Sequence, residues 1–156
     1  MNYLKVFSGI FFILAVSRLI PHPPNFTSLI ALSFYVPTFF GRKYLFVLII
    51  SFFITDIIIG FHNTIIFTYG SVVIIGLISK HFKEVIFSRI LGALLGAIIF
   101  FIITNFGVWT TGFYTYSFNG LIACYFLALP FFSFSLISTI VYALIFEFLY
   151  ILNKSF

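Results

Sequence analysis

Four charged residues interrupt otherwise apolar stretches of the sequence: Arg18, Asp56, Arg89 and Glu147. A charged side chain is expensive in hydrocarbon, so each of them should face protein or water. If the apolar stretches are helices, Arg18 and Asp56 fall at one depth, and Arg89 and Glu147 fall at another. The sequence therefore predicts two ion pairs, one near each end of a helical bundle.

The two predicted pairs differ in what surrounds them. Arg89 and Glu147 are assigned as a structural ion pair, because side chains near that end of their helices can extend toward water and need no ligand. Arg18 and Asp56 have two interpretations, since unusually polar connections flank them. They form either a structural tie or the floor of a binding site.

Polar and aromatic side chains crowd the connections next to Arg18 and Asp56, and these connections carry no lysine or arginine. Aromatic rings together with a few polar groups are typical of a pocket for a flat, partly polar small molecule. An interfacial aromatic belt has the same composition. The predicted ligand-binding residues are Arg18, His22, Asn25, Asp56, His62, Asn63, Trp109 and Tyr114.

Metal binding and catalysis have less support in the residue pattern. His22, Asp56 and His62 offer imidazole and carboxylate ligands, but their spacing matches no metal motif, so no metal site and no cofactor is assigned. Cys124 is interpreted as a small packing residue. The sequence contains no nucleophile elbow, zinc-protease motif or phosphate-binding loop, so we do not expect an enzyme.

The elements that must position these side chains are apolar helices. Of the 156 residues, 63% are hydrophobic and 7% are charged, and the mean hydropathy is +1.26. A soluble domain carries about a quarter charged residues. The composition therefore excludes a soluble enzyme, a nucleic-acid-binding module and a disordered chain, and it leaves a single integral membrane domain covering residues 1–156.

Prolines, glycines and charges divide the apolar sequence into an all-α bundle of six transmembrane helices. The first run is interpreted as a retained helix, because it lacks the small-residue cleavage site of a signal peptide. Pro130 is expected to separate a short outer helix, 121–129, from the last span, because nine residues rise only about 14 Å against a ~30 Å hydrocarbon core. The predicted spans cover residues 4–20, 28–40, 44–59, 64–79, 85–106 and 133–152.

The distribution of lysine and arginine predicts the orientation of these spans. Cytoplasmic connections of membrane proteins carry an excess of both residues. The formal charge of +5 then reflects topology, and we expect a multi-pass protein of the bacterial inner membrane with both termini in the cytoplasm. The residues on the predicted cytoplasmic flanks are Lys5, Arg42, Lys43, Lys80, Lys83 and Lys154.

Small residues recur every three or four positions on the fifth and sixth predicted spans. Such stripes let helices approach closely in lipid. They predict either packing inside the bundle or contact with another membrane protein. The stripes consist of Gly92, Ala93, Gly96 and Ala97, and of Ser135, Thr139, Ala143 and Glu147.

Several motifs resemble a family of small, uncharacterised bacterial membrane proteins. They are SRLIPHPPNFT at 17–27, D-x-x-x-G-x-H-N-T at 56–64, NFGVW at 105–109, and GLIACY at 120–125 with PFF at 130–132. The size and predicted architecture are also similar to those of the S components of energy-coupling-factor (ECF) vitamin transporters. S components are six-helix membrane proteins that capture a vitamin or metal ion from the outer side.

The second resemblance implies a substrate-binding membrane subunit for uptake of a small, vitamin-like nutrient, with cobalamin as one candidate. It also implies an ECF-type coupling subunit and ATPases as partners, besides the lipid bilayer and the ligand. No nucleic acid is expected as a partner. Two alternatives stay open: a small structural or assembly subunit of a larger membrane complex, and a cation or metal permease that uses His22, Asp56 and His62.

Overall fold

The structure, a computed structural model, describes residues 3–82 and 85–154. Within these residues the chain is all-helical, as predicted, and no strand occurs. Short 3-10 turns lie at Arg42–Tyr44 and Ser79–His81. The α-helices are α1 (Tyr3–Leu19), α2 (Leu29–Phe40), α3 (Leu45–Ile59), α4 (Ile65–Ile78), α5 (Ile86–Thr110) and α6 (Phe118–Lys154).

The predicted break at Pro130 is wrong. Helix α6 runs without interruption for 37 residues, so the predicted outer helix at 121–129 and the last span at 133–152 are one element. Proline fixes φ at a value that suits a helix, and its cost inside one is a lost hydrogen bond and a clash of its ring with the carbonyl four residues earlier. In apolar surroundings an interrupted helix would leave more backbone groups without partners than one proline does. Pro37 lies inside α2 in the same way.

Helix α2 lies at the centre of the bundle. Every residue from Leu29 to Pro37 is buried, and the helix packs against α3, α4, α5 and α6. The surrounding helices follow one another in the order α1, α3, α4, α5, α6. With 12 residues α2 rises about 18 Å, which is short for a spanning helix.

The helix ends gather at two ends of the bundle. At one of them Tyr3 stacks on Tyr44 with ring centroids 4.9 Å apart, and Phe39 of α2 stacks on Tyr150 of α6 at 4.3 Å. We call this the basic end. Its exposed cations are Lys5, Arg42, Lys43 and Lys80. Lys83 and the side chain of Lys154 lie outside the described part of the chain.

The side chains are distributed in the reverse of the usual order for a soluble protein. Large apolar side chains point outward, with Phe12 68% and Ile66 80% exposed, whereas Asp56 and Glu147 are 0% and 3% exposed. Helices α5 and α6 are each long and apolar enough to cross a membrane. These are the features of a membrane-associated protein.

Buried hydroxyl groups find partners inside their own helices. Ser33 Oγ donates to the carbonyl of Leu29 at 2.7 Å, and Thr139 Oγ1 donates to the carbonyl of Ser135 at 2.7 Å. Bonds of this kind let serine and threonine lie in an apolar interior without leaving the hydroxyl donor unpaired. Buried serines and threonines are therefore compatible with the apolar interior of the bundle.

Both small-residue stripes pack inside the chain. A Cβ atom added at Gly92 would lie 2.5 Å from the ring of Phe34 on α2, and one at Gly96 would lie 3.0 Å from Ile75 on α4. The small residues of the α6 stripe, Ser135, Thr139 and Ala143, are likewise buried. Of the two predictions for these stripes, packing inside the bundle is the one that the structure shows.

Replacing Gly92 by alanine is expected to lower the thermal stability of the purified protein. The added methyl group would overlap the rings of Phe34 and Phe82, and overpacking costs about 1–3 kcal/mol. Gly9→Ala is the matched control, because nothing lies within 4 Å of a Cβ there and alanine favours a helix by about 0.5–1 kcal/mol. Thermal unfolding in detergent should place G92A below the wild type and G9A at or above it. Equal melting temperatures would contradict the close approach of α5 to α2.

Candidate functional site

A cavity of about 480 Å³ lies at the end of the bundle opposite the basic end. Helices α1 to α6 all contribute to its walls, together with the connections that follow α1, α3 and α5. The aromatic part of the wall comes from Phe52, Phe100, Phe101, Phe131 and Phe132. The polar part comes from Arg18, Asn25, Thr27, His62, Thr64, Thr68, Thr104, Asn105, Tyr114 and Ser135.

The predicted pair of Arg18 and Asp56 is present at the cavity. Arg18 Nη2 lies 2.6 Å from Asp56 Oδ1, and Arg18 Nη1 donates to Thr55 Oγ1. The guanidinium carbon lies 4.6 Å from the ring centroid of Phe52. The Arg18 side chain is 14% exposed and lines the cavity, whereas the Asp56 side chain is completely buried behind it.

Tyr69 of α4 also contacts this ion pair, through Asp56. Its hydroxyl donates to Asp56 Oδ2 at 2.8 Å, and its ring stacks on Phe52 with centroids 4.7 Å apart. Both carboxylate oxygens of Asp56 therefore contact side chains of the protein itself. Asp56 can orient Arg18 but is not placed to contact a ligand. The sequence signal for Tyr69 was a tyrosine within an apolar span, whose hydroxyl needs a partner.

Two further predicted residues, Asn25 and His62, line the cavity. His62 Nε2 lies 2.9 Å from Thr68 Oγ1, and this hydrogen bond orients the imidazole ring. Asn25 has a φ of 63°, a left-handed conformation that asparagine tolerates better than most residues. Both residues lie in connections between helices, Asn25 after α1 and His62 after α3.

Gly120 lets the first turn of α6 pack closely against the backbone of Tyr114. The connection between α5 and α6 folds back so closely that a Cβ atom at position 120 would lie 1.9 Å from the carbonyl oxygen of Tyr114. Only glycine fits this approach. The backbone N–H of Gly120 also donates to Ser117 Oγ at 3.0 Å. The first turn of α6 thus holds Tyr114 at the cavity wall.

The structure places His22, Asn63 and Trp109 outside the cavity wall. The Nδ1 atom of His22 lies 2.8 Å from the carbonyl oxygen of Pro23. Trp109 packs against Phe106 at 5.6 Å between ring centroids and against Tyr116 at 6.1 Å. Trp109 therefore belongs to an aromatic cluster beside the cavity.

Several wall residues were not assigned from the sequence. Thr104 and Asn105 of α5 face the cavity, as does Cys124 of α6. Cys124 Sγ donates to the carbonyl of Asn105 at 3.3 Å, which joins α6 to α5 at this point. The available signal was the pair of polar residues Thr104 and Asn105 near the end of the otherwise apolar α5.

The residues considered for metal binding do not come together. Asp56 is paired with Arg18, His62 contacts Thr68, and His22 lies outside the cavity wall. Across residues 3–82 and 85–154, no three histidine, cysteine, aspartate or glutamate side chains form a group that could hold a metal ion.

The second predicted pair lies toward the basic end and has a different geometry. Arg89 donates from Nε to Glu147 Oε1 at 2.7 Å and from Nη2 to Oε2 at 2.6 Å. The guanidinium carbon also lies 5.6 Å from the ring of Phe39 and 5.5 Å from that of Tyr150. This bidentate pair ties α5 to α6, and the two rings shield it from solvent.

The chain is thus an all-helical bundle with two helices, α5 and α6, long and apolar enough to cross a membrane, and with a polar, aromatic-walled cavity at one end. Residues 2–156 match the model of a Family of unknown function (DUF6580), and the chain belongs to this family. Comparisons with curated proteins and with solved structures give no match.

Proposed function

We propose that this protein is a substrate-binding membrane subunit that captures a small, vitamin-like nutrient, in the manner of an ECF S component. The observation that carries the proposal is the cavity, whose aromatic wall and convergent polar groups are those of a small-molecule site. Its volume of about 480 Å³ lies within the range of roughly 300–1,000 Å³ that such sites occupy.

The orientation in this proposal follows from the charges. The basic end faces the cytoplasm, because lysine and arginine accumulate on that side of a membrane. The cavity lies at the other end, so it opens to the outside and receives the nutrient there. All six helices then belong to the membrane bundle, with α2 packed against α3, α4, α5 and α6, in the bacterial inner membrane.

The chemistry of the wall defines the ligand class. Asp56 balances the charge of Arg18, so the cavity has no large net charge to select a strongly charged molecule. Phenylalanine rings offer stacking surfaces, and hydroxyl and amide groups offer hydrogen bonds. The ligand is therefore flat, partly polar and near neutral. A corrinoid with its nucleotide arm is too bulky for this volume, which favours a smaller molecule than cobalamin.

Uptake of this kind involves no covalent chemistry in the binding subunit. The sequence carries no nucleotide-binding motif, so the energy comes from partner ATPases through a coupling subunit, or from an ion gradient. The assembly-subunit alternative has less support, because both small-residue stripes are used inside the chain. The metal-permease alternative has less support because His22, Asp56 and His62 do not converge.

Ala128→Phe is expected to reduce retention of the ligand strongly. Ala128 lines the cavity, and a phenyl ring there would occupy part of its volume. Leu144→Phe is the matched control, because it adds the same ring to an exposed position of α6, away from the cavity. Untargeted mass spectrometry of the denatured, purified protein should find a stoichiometric small molecule in the wild type and L144F. In A128F we expect a loss of about tenfold or more, equivalent to about 1.4 kcal/mol of binding.

Two results would contradict this proposal. One is a wild-type protein, purified from cells grown in rich medium, that carries no small molecule. The other is equal retention of the same molecule by A128F and L144F, which would place the molecule outside the cavity.

A further inference from the structure

A second concave surface lies toward the basic end, between α1 and α6, with α2 as its floor. It has a volume of about 510 Å³. We call it the apolar groove. Its apolar lining includes Val6, Ile10 and Ile13 of α1, Val36 and Phe39 of α2, and Leu149 of α6.

The dimensions of the apolar groove suit a hydrocarbon chain. Its lining residues on α1 run from Lys5 to Ile13, a rise of about 12 Å. Gly9 lies midway, and nothing occupies the space within 4 Å of where its Cβ would be. The groove is therefore open along α1, and its walls offer an extended polymethylene chain almost only apolar contacts.

The rim of the apolar groove at the basic end is positively charged. Lys5 lines the groove and is exposed. Lys43, also exposed, lies at the same end of the bundle but outside the groove lining, with its Nζ 5.4 Å from the ring of Tyr3, two residues before Lys5 in α1. In the described part of the chain the carboxylates, Asp56 and Glu147, are buried against arginines. No described carboxylate therefore offsets these lysines.

We propose that the apolar groove binds an anionic phospholipid, with an acyl chain along α1 and α2 and the phosphate at Lys5 and Lys43. An apolar groove that ends in lysines complements both parts of such a lipid. The excess positive charge selects an anionic headgroup over a zwitterionic one. The lipid also fills the space between α1 and α6, and so completes the layer of material around α2.

Native mass spectrometry with added phosphatidylglycerol or phosphatidylcholine tests this proposal. The wild type should bind phosphatidylglycerol about tenfold or more tightly than phosphatidylcholine. Lys5→Gln combined with Lys43→Gln should remove the preference. Both residues are exposed, so the double variant should fold normally. Gly9→Leu should reduce binding of both lipids, whereas Gly70→Leu, at an equally open glycine of α4 away from the groove, should not.

Three results would overturn the lipid site. Equal affinity for the two lipids in the wild type would exclude selection by charge. Equal lipid binding by G9L and G70L would place the lipid elsewhere on the surface. A stoichiometric protein partner that displaces phosphatidylglycerol, and that G9L no longer binds, would assign the groove to that partner. Nutrient capture is measured at the opposite end of the bundle, so each proposal can fail without the other.

Discussion

Replacing Glu147 by alanine is expected to destabilise the protein more than any other single change proposed for it. The substitution removes the carboxylate that forms two hydrogen bonds with the Arg89 guanidinium, which stays buried between Phe39 and Tyr150. Removing one partner of a buried ion pair costs about 3–5 kcal/mol, because the remaining charge loses its compensation while it stays out of water. Chemical unfolding in detergent, followed by the tryptophan fluorescence of Trp109, measures this loss.

The control for this prediction removes both charges. In Arg89→Met combined with Glu147→Met the buried site holds no charge, and apolar side chains replace the pair. Such replacements are often neutral or stabilising, so the double variant should recover most of the free energy lost in E147A. If E147A unfolds within about 0.5 kcal/mol of the wild type, which is typical of a surface substitution, water reaches Arg89 and the pair is not buried as described.

Asp56→Asn is expected to weaken ligand binding although Asp56 does not reach the cavity. Asp56 holds Arg18 through an ion pair at 2.6 Å and accepts a hydrogen bond from Tyr69. Without its charge, Arg18 is free to extend into the cavity and occupy the space of the ligand. We expect ligand occupancy to fall about tenfold or more. The loss of stability should be smaller than in E147A, because Arg18 can reach the polar cavity.

Two further variants distinguish a role of Asp56 in positioning Arg18 from a role in folding stability. Tyr69→Phe removes one hydrogen bond to the Asp56 carboxylate, worth about 1.5–3 kcal/mol, and keeps the ion pair, so it should retain most of the ligand. The exchange of charges in Arg18→Asp with Asp56→Arg should restore part of the folding stability but not the ligand. An exchange that restores both would show that the pair is only a structural tie.

The positions of the helices were largely predictable, because their ends are set locally. Predicted and observed limits of α1 to α4 differ by about one residue, since prolines, glycines or charged residues mark most of these ends. The error at Pro130 has the same origin. Local rules treat proline as a break, but whether a helix continues through it depends on what the freed backbone groups would otherwise contact.

The candidate site was predictable only in part. The pairing of Arg18 with Asp56 follows from depth, because a charge inside an apolar bundle needs an opposite charge at its own level. The roles within the pair were not predictable. Burial of Asp56 behind Arg18, and its contact with Tyr69, depend on how α3 and α4 are rotated and on which helices are neighbours.

The sequence by itself therefore determined an apolar helical bundle, the approximate limits of its helices, and the depth of its charged residues. These properties follow from composition and from the position of each residue along its helix, and the linear sequence contains both. The tertiary structure alone decided that α2 is central, that Thr104 and Asn105 face the cavity, and that Trp109 does not. Those outcomes depend on the lateral order and rotation of helices, which close packing between distant parts of the chain determines.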